Sequence, residues 1–286
     1  MKHFREIFMK YIFLFAAVMT VAAVILICVF LFANGIPAMA KIGFFDFLLG
    51  TEWKPNNVPA SFGIFPMILG SLIVTLGAII LGVPIGILTA VFMAHYCPKK
   101  PYRVLKPGVE LLAGIPSVVY GFFGLVVLVP LVRQVFGGNG NSILTASILL
   151  GIMILPTIMG ISESAIRAVP VHYYEGALAL GATKERSIFA TVLPAARSGI
   201  LAGVVLGIGR AIGENMAVIM VVGNQARMPD GLLSGIRTLT ANIVLEMGYA
   251  AELHREALIA TGVVLFVFIL IINFVFQLFK RKEGRE

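Results

Sequence analysis

Charge is what this sequence has least of: Asp, Glu, Lys and Arg make up 13% of its 286 residues, against 59% hydrophobic ones and a mean hydropathy of +0.99. So few charges cannot furnish the surface of an ordinary soluble domain, and the chain reads as a membrane protein. Cysteine is nearly as scarce. Cys28 falls inside the first long apolar run and Cys97 just after the second, so no disulfide framework is implied. His95, His172 and His254 are scattered at run ends or in loops without metal-ligand spacing. A membrane-embedded enzyme would need a nucleophile–base or metal constellation, and none stands out. No G-x-x-x-x-G-K-[ST] phosphate loop occurs, so the chain is expected to bind no nucleotide cofactor of its own. GIGRAIG at 207–213 does not supply a dinucleotide fingerprint, because its glycines miss the G-x-G-x-x-G spacing and no strand precedes them.

What is present is apolar length. A helix needs about 20 apolar residues to cross a bilayer, and six runs qualify, at about 11–33, 66–95, 109–132, 143–162, 198–222 and 257–279. The expectation is an all-α polytopic membrane protein, one transmembrane domain over 1–286. The first run follows a basic leader of Lys2, Arg5 and Lys10 but exceeds a signal-peptide core, and no small-x-small cleavage site follows cleanly. It reads as a retained helix.

The net charge of +8 is explained by where the cations fall. With a cytoplasmic N-terminus, the inside segments hold fifteen of the 22 Lys and Arg residues, among them Lys99, Lys100, Arg103 and Lys106 and the terminal Lys280, Arg281, Lys282 and Arg285. Six lie outside (Lys41, Lys54, Arg133, Arg227, Arg237, Arg255), and Arg210 lies within the membrane. This asymmetry places both termini in the cytoplasm and needs no nucleic-acid partner.

The segment 34–65 reads as an irregular outside loop whose aromatics, Phe44, Phe45, Phe47 and Trp53, suit the membrane interface. A second outside loop covers 223–256. Glu110, Glu163 and Glu246, near span ends, read as interfacial. Pro84 and Pro156 read as kinks within spans, and Ser117 and Tyr120 are explained equally by packing and by a place along a path.

Between the fourth and fifth spans lies PVHYYEGALALGATKERSIFATVLP, 170–194. Good helix formers run from Tyr173 to Leu180, Gly181 is placed to end that helix, and Thr183 can cap a second short one closed by Pro194. Two helices joined at a glycine would make a compact knob.

The stretch resembles the cytoplasmic coupling loop of ABC importer permeases: Glu175, Ala177, Gly181, Leu193 and Pro194 fall in register, while Gly176 and Thr191 depart from the pattern. GTEWKPNN at 50–57, FGIFPMILGSL at 62–72, ELLAGIPSVVYGFFGL at 110–125 and GIGRAIGENMAV at 207–218 resemble, in order and spacing, the phosphate-specific permeases of the PstC type. The resemblance implies a type I, MetI-like permease fold in the plasma membrane of a bacterium. It implies a heterodimer with a second permease of the PstA type, two copies of a cytoplasmic ATPase carrying ATP and Mg, and an extracytoplasmic phosphate-binding protein. Glu175, Ala177, Gly181, Leu193 and Pro194 would couple to the ATPase. A secondary anion transporter or channel, or an ABC permease for another oxyanion, remains as the alternative.

Within the fifth run, Gly199, Gly203 and Gly207 recur every fourth residue, with Gly209 and Gly213 on a neighbouring stripe, so another helix can approach closely. Arg210 sits at the midpoint of 198–222, with Glu214 one helical turn away on the same face. A charge at the bilayer centre costs roughly 2.5–3.5 kcal/mol on insertion scales, which favours an interior or a watery cavity. The guanidinium fork matches a phosphate oxyanion, and the permeases resembled carry a matching Arg and Glu implicated in transport. Arg210 is therefore expected in the substrate path, with Glu214 restraining its fork.

Overall fold

The computed structural model describes the backbone of residues 2–283 and the side chains of residues 6–275. Lys2 and Arg5, and Lys280, Arg281, Lys282 and Arg285, lie outside the described side chains. Among the described residues, six helical stretches are long and apolar enough to cross a membrane: Glu6–Ile42, Phe65–Tyr96, Ser117–Phe136, Ile143–Arg167, Lys184–Gly213 and Glu252–Val275. The six expected spans are all there, with three changes of boundary.

The first helix, α1 (Lys2–Ile42), runs well past residue 33 and through Pro37. The segment expected outside is then short α2 (Phe44–Leu49) and a hairpin of β1 (Trp53–Lys54) against β2 (Ser61–Phe62), not an irregular loop from residue 34. After α3 (Phe65–Val91) and a π turn at Phe92–Tyr96, the chain forms α4 (Lys99–Gly114), an amphipathic helix without a buried residue. The third span starts only at Ser117, because Pro116 holds Ile115 in an extended conformation and offers no N–H to continue the helix. It comprises α5 (Ser117–Phe123), a π turn and α6 (Val129–Phe136), which replaces the expected 109–132. The fourth span, α7 (Ile143–Arg167), is capped by Ser142, whose hydroxyl accepts from the Thr145 N–H.

The third change lies beyond α7. Short α8 (Val171–Ala179) and α9 (Lys184–Ser187) precede a π turn at Ile188–Val192 that leads without a break into α10 (Leu193–Gly213). The helix then stops, with Glu214 extended at φ −72° and ψ 131°, and resumes as α11 (Met216–Val221). The expected uninterrupted span 198–222 is thus two helices. A further short helix, α12 (Leu239–Glu246), precedes the last span, α13 (Glu252–Glu283).

Helix α7 is the centre of the bundle: α3 packs along one side and α10 along another. The main core joins Val74 and Ala78 of α3, Leu149, Met153 and Ile158 of α7, and Val204 and Ile208 of α10. The glycine stripe on α10 explains that approach. A Cβ on Gly199 would lie 2.4 Å from Ala165 Cβ, and one on Gly207 2.8 Å from a side-chain carbon of Ile158, whereas Gly209 and Gly213 face open space. The first stripe is therefore used inside this chain, against α7.

A second cluster ties the C-terminal end of α1, the N-terminal ends of α3 and α13, and α12 to the hairpin. Its polar centre is Glu246, read from sequence as interfacial but buried here. The Trp53 indole N–H donates to its Oε2 at 2.8 Å, His254 Nε2 lies 2.8 Å from the same oxygen, and Arg237 pairs with Oε1. Trp53 is accordingly buried rather than lying at the lipid surface. Burial alone would push the Glu246 carboxyl up, but hydrogen bonds from Trp53, His254 and Arg237 outweigh it and hold the group below the usual carboxylate value.

Two tests follow from this packing. Gly199→Ala should cost about 1–3 kcal/mol through overpacking against Ala165, seen as a fall of several degrees in the melting temperature of the solubilised protein, while Gly209→Ala should leave it unchanged or raise it. A depressed folded-state pKa at Glu246 means stability that is present above the unfolded value, about 4.3, and is lost as pH falls through the lower folded one. The melting temperature should therefore decline on acidification below about pH 4.5, and Glu246→Gln should lower it at neutral pH and flatten that acid slope. An identical slope in the variant would assign the acid sensitivity to other groups.

Candidate functional site

The break in the fifth span decides what surrounds Arg210. Because α10 ends at Gly213, Arg210 occupies its last turn, where a cation suits the helix dipole. It is half-buried, and its Nη1 donates to Thr157 Oγ1 of α7 at 3.4 Å, the single hydrogen bond of its side chain among the described residues. The rest of the guanidinium fork has no protein partner there. Glu214 does not restrain it: with the helix ended, the two side chains no longer stack one turn apart. Instead Glu214 Oε1 accepts from the Ala217 N–H at 3.1 Å, its carbonyl accepts from the Thr240 hydroxyl at 3.1 Å, and the Asn215 side chain accepts from the Met216 N–H. These three bonds satisfy backbone groups that the interruption exposes. The expected ion pair is thus replaced by a cation held lightly on α7 and a carboxylate used as a helix cap.

Tyr120 lies within electrostatic range of Arg210, and its hydroxyl donates to the Leu112 carbonyl at 2.9 Å, binding the start of the third span to the last turn of α4.

On the opposite face, 170–194 forms the expected pair of short helices. Gly181 sits at φ +86°, a left-handed conformation open to glycine without strain, and its N–H donates to the Leu178 carbonyl at 2.9 Å while Ala182 N–H reaches Ala177 at 3.1 Å. Thr183 caps α9 by accepting from the Arg186 N–H. Pro194 does not close the second helix. It lies in the first turn of α10, where its missing N–H is tolerated behind the widened π turn. Lys184 and Gly213 therefore end one continuous helical stretch. None of the nine residues of α8 is buried, and Leu180 is 91% exposed. Glu175 and Ala177 lie on that uncovered helix, while Leu193 and Pro194 lie on the stem below.

The structure also brings together residues that sequence reasoning passed over. Glu163, expected at the interface, is 2% exposed. Tyr102 Oη donates to its Oε1 at 2.6 Å, Arg167 Nε to the same oxygen at 2.7 Å, and Lys106 Nζ to Oε2 at 2.8 Å. The bonds to Glu163 push both the Tyr102 hydroxyl and the Lys106 amine up from their ordinary values. Arg167 also donates to the Met93 carbonyl at 2.7 Å and lies 4.5 Å over the Tyr102 ring. The i,i+4 spacing of Glu163 and Arg167 was the available signal; the arrival of Lys106 and Tyr102 from α4 was not. Glu110, by contrast, is exposed as expected. Among the described residues, no cluster of His, Cys, Asp and Glu could hold a metal ion.

Comparison with known proteins agrees with this architecture. The profile of the family described as "Binding-protein-dependent transport system inner membrane component" matches residues 82–285. Among curated proteins, the chain is 40% identical over 267 residues to a probable ABC transporter permease protein, YqgH, of Bacillus subtilis, covering 90% of this chain and 86% of that one. It is 37% identical over 262 residues to the phosphate transport system permease protein PstC of Mesorhizobium japonicum, covering 84% and 79%. Among solved structures, a bacterial alginate ABC transporter aligns over 94% of both chains with a TM-score of 0.64 and 17% identity. The methionine transporter MetNI in an inward-facing conformation aligns over 76% of this chain and 94% of its own, with a TM-score of 0.61 and 21% identity. Those two likenesses concern the fold alone.

Proposed function

The chain belongs to the binding-protein-dependent transport system inner membrane component family, and from that membership we propose that it forms half of the translocation path of an ATP-driven importer of inorganic phosphate. The observation that carries the substrate is similarity to PstC phosphate permeases over most of both chains. In this reading a second permease of the PstA type completes the path, an extracytoplasmic phosphate-binding protein delivers the anion, and two cytoplasmic ATPase subunits bind ATP and Mg. Both termini and the 170–194 knob lie in the cytoplasm of a bacterial cell. The arrangement that supports coupling is mechanical: an exposed α8, a glycine turn, and a helix from Lys184 to Gly213 that leads from the knob to Arg210. A push on the knob then reaches the membrane interior through a hydrogen-bonded rod.

Arg210 is the residue assigned to the anion. Its fork is lightly held, so most of its five N–H donors are available to a phosphate oxyanion entering a low-dielectric path. Glu214 acts beside it by holding the helix break open at that level. Because Glu214 is hydrogen-bonded to the backbone rather than paired with Arg210, a single substitution is interpretable. Arg210→Gln should leave assembly and ATPase docking intact and reduce labelled-phosphate uptake by about tenfold or more, whereas Arg210→Lys, which keeps the charge and loses the fork, should retain part of it. Normal uptake by Arg210→Gln at limiting phosphate would remove Arg210 from the path. Sulfate that competes equally with phosphate in the wild type would overturn the substrate assignment.

The knob is tested at its turn. A side chain at Gly181 meets no atom within 4 Å, so Gly181→Leu acts through its φ of +86°, which costs an ordinary residue about 1–3 kcal/mol. The variant should insert into the membrane but co-purify with less ATPase or show weaker phosphate-stimulated hydrolysis. Unimpaired coupling would make the segment a plain connector.

A further inference from the structure

The Glu163 cluster lies outside both the path and the knob, yet it joins the elements that flank them. On one side, Arg167 ends the span that leads, three residues later, into α8. The knob is also braced against the end of the second span, where the His95 ring lies 5.8 Å from that of Tyr174 and the Lys184 ammonium 4.5 Å over the Tyr96 ring. On the other side, α4 is held by Tyr102 and Lys106, and its last turn is bonded through Leu112 to Tyr120, beside the charge of Arg210. No residue of α4 is buried, so apolar packing cannot fix its position. Its attachment to α7 depends instead on the two bonds to Glu163 and on the Arg167 guanidinium over the Tyr102 ring.

We infer that Glu163 is a positioning residue for transport: by clamping α4 to the cytoplasmic end of α7, it makes the start of the third span follow displacements of the 170–194 knob. This rests on the reading of that knob as the ATPase contact. The physical warrant is stiffness. A buried carboxylate that loses a charged partner is left with an uncompensated desolvation cost, so the cluster resists separation where exposed pairs would slip. A clamp also gives the third span a driven motion through α4, in addition to any carried by the rod from Lys184 to Gly213.

The test severs the α4 arm and leaves Glu163 with Arg167. The transporter is reconstituted in vesicles with its second permease, ATPase and phosphate-binding protein, and phosphate taken up per ATP hydrolysed is measured for Tyr102→Phe/Lys106→Met. The double variant should retain its ATPase and phosphate-stimulated hydrolysis, while the transport-to-hydrolysis ratio falls by about fivefold or more. Tyr102→Phe/Lys106→Arg, which restores a charged donor, should recover most of the ratio; a purely structural loss would instead lower assembly. An unchanged ratio in the Met variant overturns the inference, and so does loss of ATPase from the complex, because the cluster would then serve docking. Failure of the wild-type complex to take up phosphate with ATP would instead strike the proposed function, so the two failures are separable.

Discussion

Lipid cannot hydrogen-bond to a backbone, so every place where this chain stops being helical within the membrane must supply its own partners. That constraint organises the most informative part of the molecule. The fifth span breaks at Glu214, and the break is viable because the Glu214 carboxylate, the Asn215 side chain and the Thr240 hydroxyl take up groups it would strand. Thr240 comes from α12, so the segment between the fifth and sixth spans is tied to the break. The third span obeys the same constraint differently. Its interruption at Ile115–Pro116 coincides with the start of the span, and Pro116 has no N–H to satisfy.

Charge burial follows a parallel logic. Among the described residues, two carboxylates are buried, Glu163 and Glu246, and each collects three donors, from side chains distant in sequence as well as near. Each carboxylate loses part of the compensation for its burial when a partner is removed. Arg210 is the contrast. Half-buried with one weak bond, it has neither the partners of a structural ion nor the exposure of a surface one. A cation kept so under-committed in an apolar bundle is consistent with a partner that comes and goes.

The sequence made the six spans legible because lipid demands apolar length regardless of tertiary structure, and it made the knob legible because a left-handed turn selects glycine and a helix start selects threonine. It misplaced the limits of the third and fifth spans for one reason. Hydropathy does not change where a helix breaks inside an apolar run, and Pro116 and Glu214 mark such breaks. The Arg210–Glu214 pairing failed with the break, since i,i+4 adjacency holds only within one helix. Pro194 misled in the opposite direction: read as a terminator, it is a first-turn residue behind a π turn, a geometry that local propensity does not announce. Glu163 and Glu246 were invisible because each is surrounded by residues brought from other elements, and a carboxylate near a span end otherwise belongs at the interface.

The displacement of Pro194 from helix end to helix start alters how the molecule can work. Had the second short helix closed there, the knob would hang from the fifth span by a flexible joint, and movement at Gly181 would be lost in loop dihedrals. Instead the hydrogen-bonded stretch continues from Lys184 to Gly213, and its last turn carries Arg210. Helical hydrogen bonding is interrupted at the two ends of that rod, near the glycine turn at one and at Glu214 at the other. An axial or rotational shift at the Lys184 end would be expressed where the rod stops, at the level of the lightly held guanidinium. That unbroken helical length between two interruptions arises from one π turn placed ahead of one proline.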